Sequence, residues 1–254
     1  MFSSCRQSLF ATALLAGVLG GSPHVVLADA NVIATALSSH NYVDLSVGRI
    51  AGDFDTSVNS SLNSITAIFG HTFNYVKNRV ETSVSLSYLD LTTDGLSNQT
   101  GLGDVIARIG TTLHSDALTL YPALAIKLPT ADDAKQLGTG EVDMGGFLSL
   151  THPCAAFLCG VALDYIVLGD PPGTDYQNIF RINLNVFRRF GRLGLGAFVQ
   201  QETALFDGID NPQSLGLNSI YMFAPRTAFY AELQAGLNNS AADSVFRLGM
   251  VQWF

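Results

Sequence analysis

Along the segment VETSVSLSYLDL, Val80, Thr82, Val84, Leu86 and Tyr88 alternate with Glu81, Ser83, Ser85 and Ser87. Successive side chains of a strand point to opposite faces, so this stretch predicts a strand with one oily side and one wet side. The split recurs. RINLNVF sets Ile182, Leu184 and Val186 against Arg181, Asn183 and Asn185, and TAFYAELQAGL sets Phe229, Ala231, Leu233 and Leu237 against Tyr230, Glu232, Gln234 and Gly236. About twelve such segments follow one another, near residues 41–52, 62–74, 79–91, 101–113, 118–130, 141–152, 158–169, 176–190, 193–206, 213–224, 227–237 and 244–254. Each has roughly the ten-residue length that a tilted membrane-spanning strand requires. Helical periodicity is nearly absent, apart from a short stretch in VIATALSS.

The connections sharpen this pattern. Longer polar loops (FDTSVNSS, TTDGLSNQ, TADDAKQLGTG, GDPPGTD, FDGIDNPQ, NNSAAD) alternate with short ones (VKNR, HSDA, HPCAAF, FGR, APR). A soluble β-sandwich also alternates its faces, but it has no reason to sort its loops by length. The sorting predicts an all-β fold: a single transmembrane antiparallel β-barrel of about 12 strands, with long loops outside and the short turns and both termini in the periplasm.

The amino-terminal region fits that destination. MFSSCRQ carries Arg6, SLFATALLAGVLGG is an apolar run too short to span a bilayer, and VVLADA offers small residues for cleavage after Ala28 or Ala30. Residues 1–28 therefore read as a signal peptide and 29–254 as the barrel, in the outer membrane of a Gram-negative cell. Cys5 falls in the leader. Cys154 and Cys159 remain, placed around a short turn in the oxidising periplasm, where a disulfide is plausible.

Composition removes other partners. Net charge is −8 with three lysines, which argues against nucleic acid and against a polybasic membrane-surface role. Nearly half the residues are apolar, yet past the leader no run approaches the roughly 18 continuous apolar residues of a membrane helix. The partners implied are outer-membrane lipid and lipopolysaccharide, the barrel-assembly machinery and a small solute.

A barrel's function lies on its inward face. Alternation turns Asp44, Glu81, Asp104, Arg108, Lys127, Glu141, Asp143, Asp164, Arg181, Glu202, Glu232 and Arg247 inward. GLGDVIARIG, LAIKLPT and TGEVDMGG are consecutive, and they bring Asp104, Arg108, Lys127, Glu141 and Asp143 together in the outer half of the lumen. That cluster either lines a solute path or braces the wall as an ion-pair network. Gly101, Gly103, Gly145 and Ser149 share the face and are expected to leave room for water.

GLGDVIARIG, YPALAIKLPTADD and LGTGEVDMGG also resemble the motif block of outer-membrane proteins assigned to the meta-pathway of phenol degradation, and of a related uncharacterised barrel family. There a Gly-Asp-x-x-x-Arg strand precedes a Lys-Leu-Pro-Thr-Gly-Asp turn and a Gly-Thr-Gly-x-x-Asp strand. The resemblance spans about residues 101 to 146 and places Asp104, Arg108, Lys127, Pro129, Thr130, Gly138, Gly140 and Asp143 on motif positions; Ala131 replaces the turn glycine. It implies a channel or transporter for small, often hydrophobic or aromatic, compounds. The ending SVFRLGMVQWF resembles the carboxy-terminal signal read by barrel-insertion machinery, with Arg247, Gly249 and Phe254 at the expected spacing and Gln252 departing from it.

Other chemistry is sparse. His40, His71, His114 and His152 are scattered without ligand spacing, so no metal or cofactor is expected. A lipid-modifying barrel hydrolase would need a histidine near a nucleophilic serine, and no His-x-Ser-Asn-type stretch is present. The glycine-rich pieces precede no helix and are not phosphate loops. The sequence thus points to a non-enzymatic channel, with a plugged structural or adhesive barrel as the alternative.

Overall fold

The computed structural model describes residues 39–53, 58–76, 78–115 and 117–254; the leader and the VIATALSS stretch lie outside them, apart from the last serine. Thirteen strand segments follow in order: β1 (Ser39–Gly52), β2 (Ser60–Tyr75), β3 (Asn78–Thr93), β4 (Gln99–Leu102), β5 (Val105–His114), β6 (Thr119–Leu128), β7 (Asp143–Cys154), β8 (Phe157–Val167), β9 (Ile179–Phe190), β10 (Leu193–Glu202), β11 (Gln213–Ala224), β12 (Thr227–Gly236) and β13 (Ser244–Trp253). Each pairs antiparallel with its neighbours, and β1 pairs with both β2 and β13. Because β4 and β5 both pair with β3, they are two parts of one stave, and the sheet closes as a twelve-stranded barrel. Apart from the short β4, which pairs with β3 alone, every strand is paired on both sides, the condition for a sheet to stand in lipid.

The stave is broken at Gly103 and Asp104. Tyr88 pairs with Leu102, whereas Ser85 pairs with Ile106, so β3 passes one residue fewer than its partner between these pairs. The extra residue is a β-bulge, and it sets Gly103 and Asp104 both toward the interior.

The sidedness is inverted relative to a soluble domain. Outward positions carry Leu45, Ile65, Phe69, Leu124, Leu184, Leu217 and Phe223, all exposed. Aromatic residues gather at both rims: Tyr75, Phe157, Phe190 and Phe223 beside the short turns, and Tyr88, Tyr165, Phe180 and Phe246 toward the long loops. An apolar band between aromatic girdles is the outer wall of a membrane barrel. After β13 the amide of Phe254 donates to the Asn41 carbonyl (2.9 Å), and its side chain is exposed.

Candidate functional site

Two apolar clusters and several paired polar groups fill the lumen. Beside the short turns, Tyr42, Phe187, Ile220, Met222, Ala228, Tyr230, Val251 and Trp253 form one apolar cluster. The rings lie flat because the neighbouring strand presents glycine where each would otherwise meet a side chain. In register, Tyr42 faces Gly70, Phe187 faces Gly196, Phe198 faces Gly216 and Tyr230 faces Gly249. A Cβ at Gly70, Gly216 or Gly249 would overlap the ring above it.

Other lumen residues are polar and internally paired, at several heights along the barrel. The Tyr230 hydroxyl donates to Asp44 (2.8 Å), which is fully buried, and Tyr42 donates to Glu81 (2.7 Å). Arg181 donates through Nε to Glu202 (2.7 Å) and through Nη1 to Asp164 (3.3 Å). Glu232 and Arg247 are cross-strand partners.

A second apolar cluster runs up the lumen to the long loops. Ile106, Tyr121, Ala123, Ala125, Phe147 and Ile166 from the wall meet Tyr176, which lies between β8 and β9, with Leu205 and Phe206 packed alongside. Over this mouth, the segment between β6 and β7 (residues 129–142) folds inward. It contains a short 3-10 turn, Asp133–Lys135, and seats Leu137 on Leu62, Leu89 and Leu91.

The ionisable cluster expected beneath that loop separates into parts. Lys127 lies between Asp104 (3.3 Å) and Asp143 (2.8 Å) and donates to Thr139 (2.7 Å), with no exposed side-chain surface. Asp104 also accepts from the Thr130 and Ala131 amides (2.9 Å each), and Asp143 from the Gly169 amide (2.9 Å). The motif residues therefore tie the folded-in loop to the wall. Ala131 at the motif's glycine position donates normally. Glu141 stands outside this cluster, in the loop, its amide on the Thr139 hydroxyl (3.3 Å). Arg108 lies apart, its guanidinium carbon 4.4 Å from the Phe147 ring centre and 5.9 Å from that of Tyr121.

The room expected beside the inward glycines is occupied. Gly101 faces Leu137, Gly103 faces Leu89 and Gly145 faces the Phe147 ring, because each glycine receives a neighbour's side chain instead of solvent. Cys154 and Cys159 are unbonded and lie on the outer face, with their thiols in hydrogen-bonding reach. They are diagonal across the hairpin: Cys154 pairs with Phe157, and Cys159 with His152. The histidines are engaged separately: His40 with Arg79, His71 with Asn41, His114 with Thr119 and His152 with the Ala117 carbonyl. The ring-on-glycine pairs escape a reading by alternation. Their signal is an inward aromatic opposite an inward glycine, and it appears only once register is known.

No family model matches the chain, and no curated protein sequence matches it. Solved structures do. The COG4313 outer membrane channel from Pseudomonas putida F1 superposes with a TM-score of 0.75 at 12% identity, over 86% of this chain and 96% of that one. The translocator domain of the autotransporter NalP from Neisseria meningitidis gives 0.58 at 10% identity, over 97% and 98%. The β domain of the Bordetella autotransporter BrkA gives 0.55 at 11% identity, over 85% and 99%. The likeness is one of fold, and the chain is a β-barrel of the outer-membrane kind.

Proposed function

We propose that this barrel is a passive outer-membrane channel for small hydrophobic or aromatic solutes, without catalytic activity. The observation that carries the reading is the lining: two apolar clusters in the lumen, one beside the short turns with rings laid flat against glycines and one reaching up to the long loops. Such walls offer a partitioning surface to an apolar molecule and few hydrogen bonds to a sugar. The likeness to an outer membrane channel supports it, as does the resemblance of residues 101 to 146 to barrels of the phenol meta-pathway. Among the described residues no histidine hydrogen bond goes to a serine, the contact that the base of a serine nucleophile would make.

The enclosed mouth favours a second reading, a plugged barrel without transport, since Leu137 is almost completely buried among wall leucines. Uptake of N-phenyl-1-naphthylamine by cells with intact lipopolysaccharide separates the two. The channel reading expects faster dye entry in cells making the barrel than in matched cells without it, with little swelling of proteoliposomes in L-arabinose. Equal dye entry at equal barrel abundance, with negligible conductance in planar bilayers, supports the plug.

A further inference from the structure

The lumen cations differ in what they hold. Lys127 has two carboxylates and a hydroxyl. Arg181 has two carboxylates. Arg247 stands opposite Glu232, and Arg79 binds His40. Arg108 stands against Phe147 and Tyr121, with the Tyr121 hydroxyl and the Asp164 carboxylate in its neighbourhood, while its Nε and Nη2 are enclosed and lack a hydrogen-bond partner among the described residues. The nearby acids are engaged: Asp164, paired in register with Phe147, holds Arg181, and Glu81 accepts from Tyr42.

We infer that Arg108 is a ligand-binding residue of the lumen, taking the carboxylate of a small aromatic acid whose ring packs among Phe147, Tyr121 and Ile106. The inference rests on the channel reading and names a solute class for it. Rings stabilise the flat face of a guanidinium but leave its in-plane N–H groups unserved. Nε and Nη2 form one edge of the group, and their parallel N–H bonds match the two oxygens of a carboxylate. The two unpartnered atoms are therefore the pair that a carboxylate fills in a single contact. On the same face Ala123 and Ala125 carry only methyl groups, and the Tyr121 ring lies across Gly110.

The test is calorimetric titration of the purified barrel in detergent with sodium benzoate, benzyl alcohol and benzylamine. Benzoate should bind most tightly, benzyl alcohol more weakly and benzylamine weakest. In Arg108→Met, which keeps bulk and apolar contact, benzoate affinity should fall at least tenfold while benzyl alcohol affinity holds. Arg108→Lys, a charge without the fork, should recover only part of it. Equal benzoate affinity in wild type and Arg108→Met overturns the proposal, as does benzylamine binding as tightly as benzoate to the wild type. That second comparison needs no variant to fold. If the dye enters cells through the barrel but benzoate does not bind, the carboxylate assignment fails and the channel reading stands. If neither occurs, both fail.

Discussion

Lys127 and Arg108 are both basic, inward and one strand apart, yet they meet different physics. Lys127 is sealed between Asp104 and Asp143, whose side chains are 5% and 1% exposed. Removing its charge leaves two enclosed carboxylates facing each other, and breaking a buried pair from one side costs about 3–5 kcal/mol. Lys127→Met should therefore lower unfolding stability by about that amount, read from urea titration of the refolded barrel in detergent micelles. A loss of about 0–1 kcal/mol, the value for a solvated pair, would mean that water reaches the cluster. Alternation could turn both cations inward, but it could not tell them apart. What separates them is which carboxylates lie at the same height, and height comes from register and from the bulge at Gly103 and Asp104.

At the scale of strands, the wall is legible because lipid enforces it. Every lipid-facing position must be apolar along the whole crossing, so period two survives in β3, β9 and β12, and the strands begin and end close to where the pattern does. The lumen imposes no such uniformity. Leu89 and Leu91 point inward at the top of β3, where a wet face continues below them, because they meet Leu137. The ring-on-glycine pairs are likewise a property of two strands, not of one. Tyr230 lies over Gly249 and reaches Asp44 with its hydroxyl, so one small residue positions a buried hydrogen bond between β12 and β1. Gly249→Ala should displace the ring and leave Asp44 without that donor, at a combined cost of about 2–4 kcal/mol from overpacking and lost pairing. Tyr230→Ala removes the clash along with the bond. The double variant should then cost less than the sum of the two single ones, by more than about 0.5 kcal/mol. Strict additivity in a double-mutant cycle would show that the ring and the glycine act independently.

For the molecule as a whole, closure of the sheet settles the wall, and the segment between β6 and β7 folds over the mouth. Its hold on the wall is polar, through Asp104, Lys127 and Thr139, whereas its plug over the mouth is apolar, chiefly Leu137 among Leu62, Leu89 and Leu91 with Ala131 alongside. These two attachments are chemically separable, so the mouth can be altered without releasing the loop. Leu137→Ser keeps every polar anchor and removes the apolar seal, admitting water where leucines met. If this contact is the outer constriction, single-channel conductance in planar bilayers should rise severalfold while the unfolding midpoint changes little. Dye uptake should rise by a smaller factor, because wetting the mouth removes the apolar surface onto which the dye partitions. Conductance unchanged in Leu137→Ser would place the constriction deeper, at the cluster around Tyr42, Phe187 and Trp253, where the same experiment on Met222→Ser would find it.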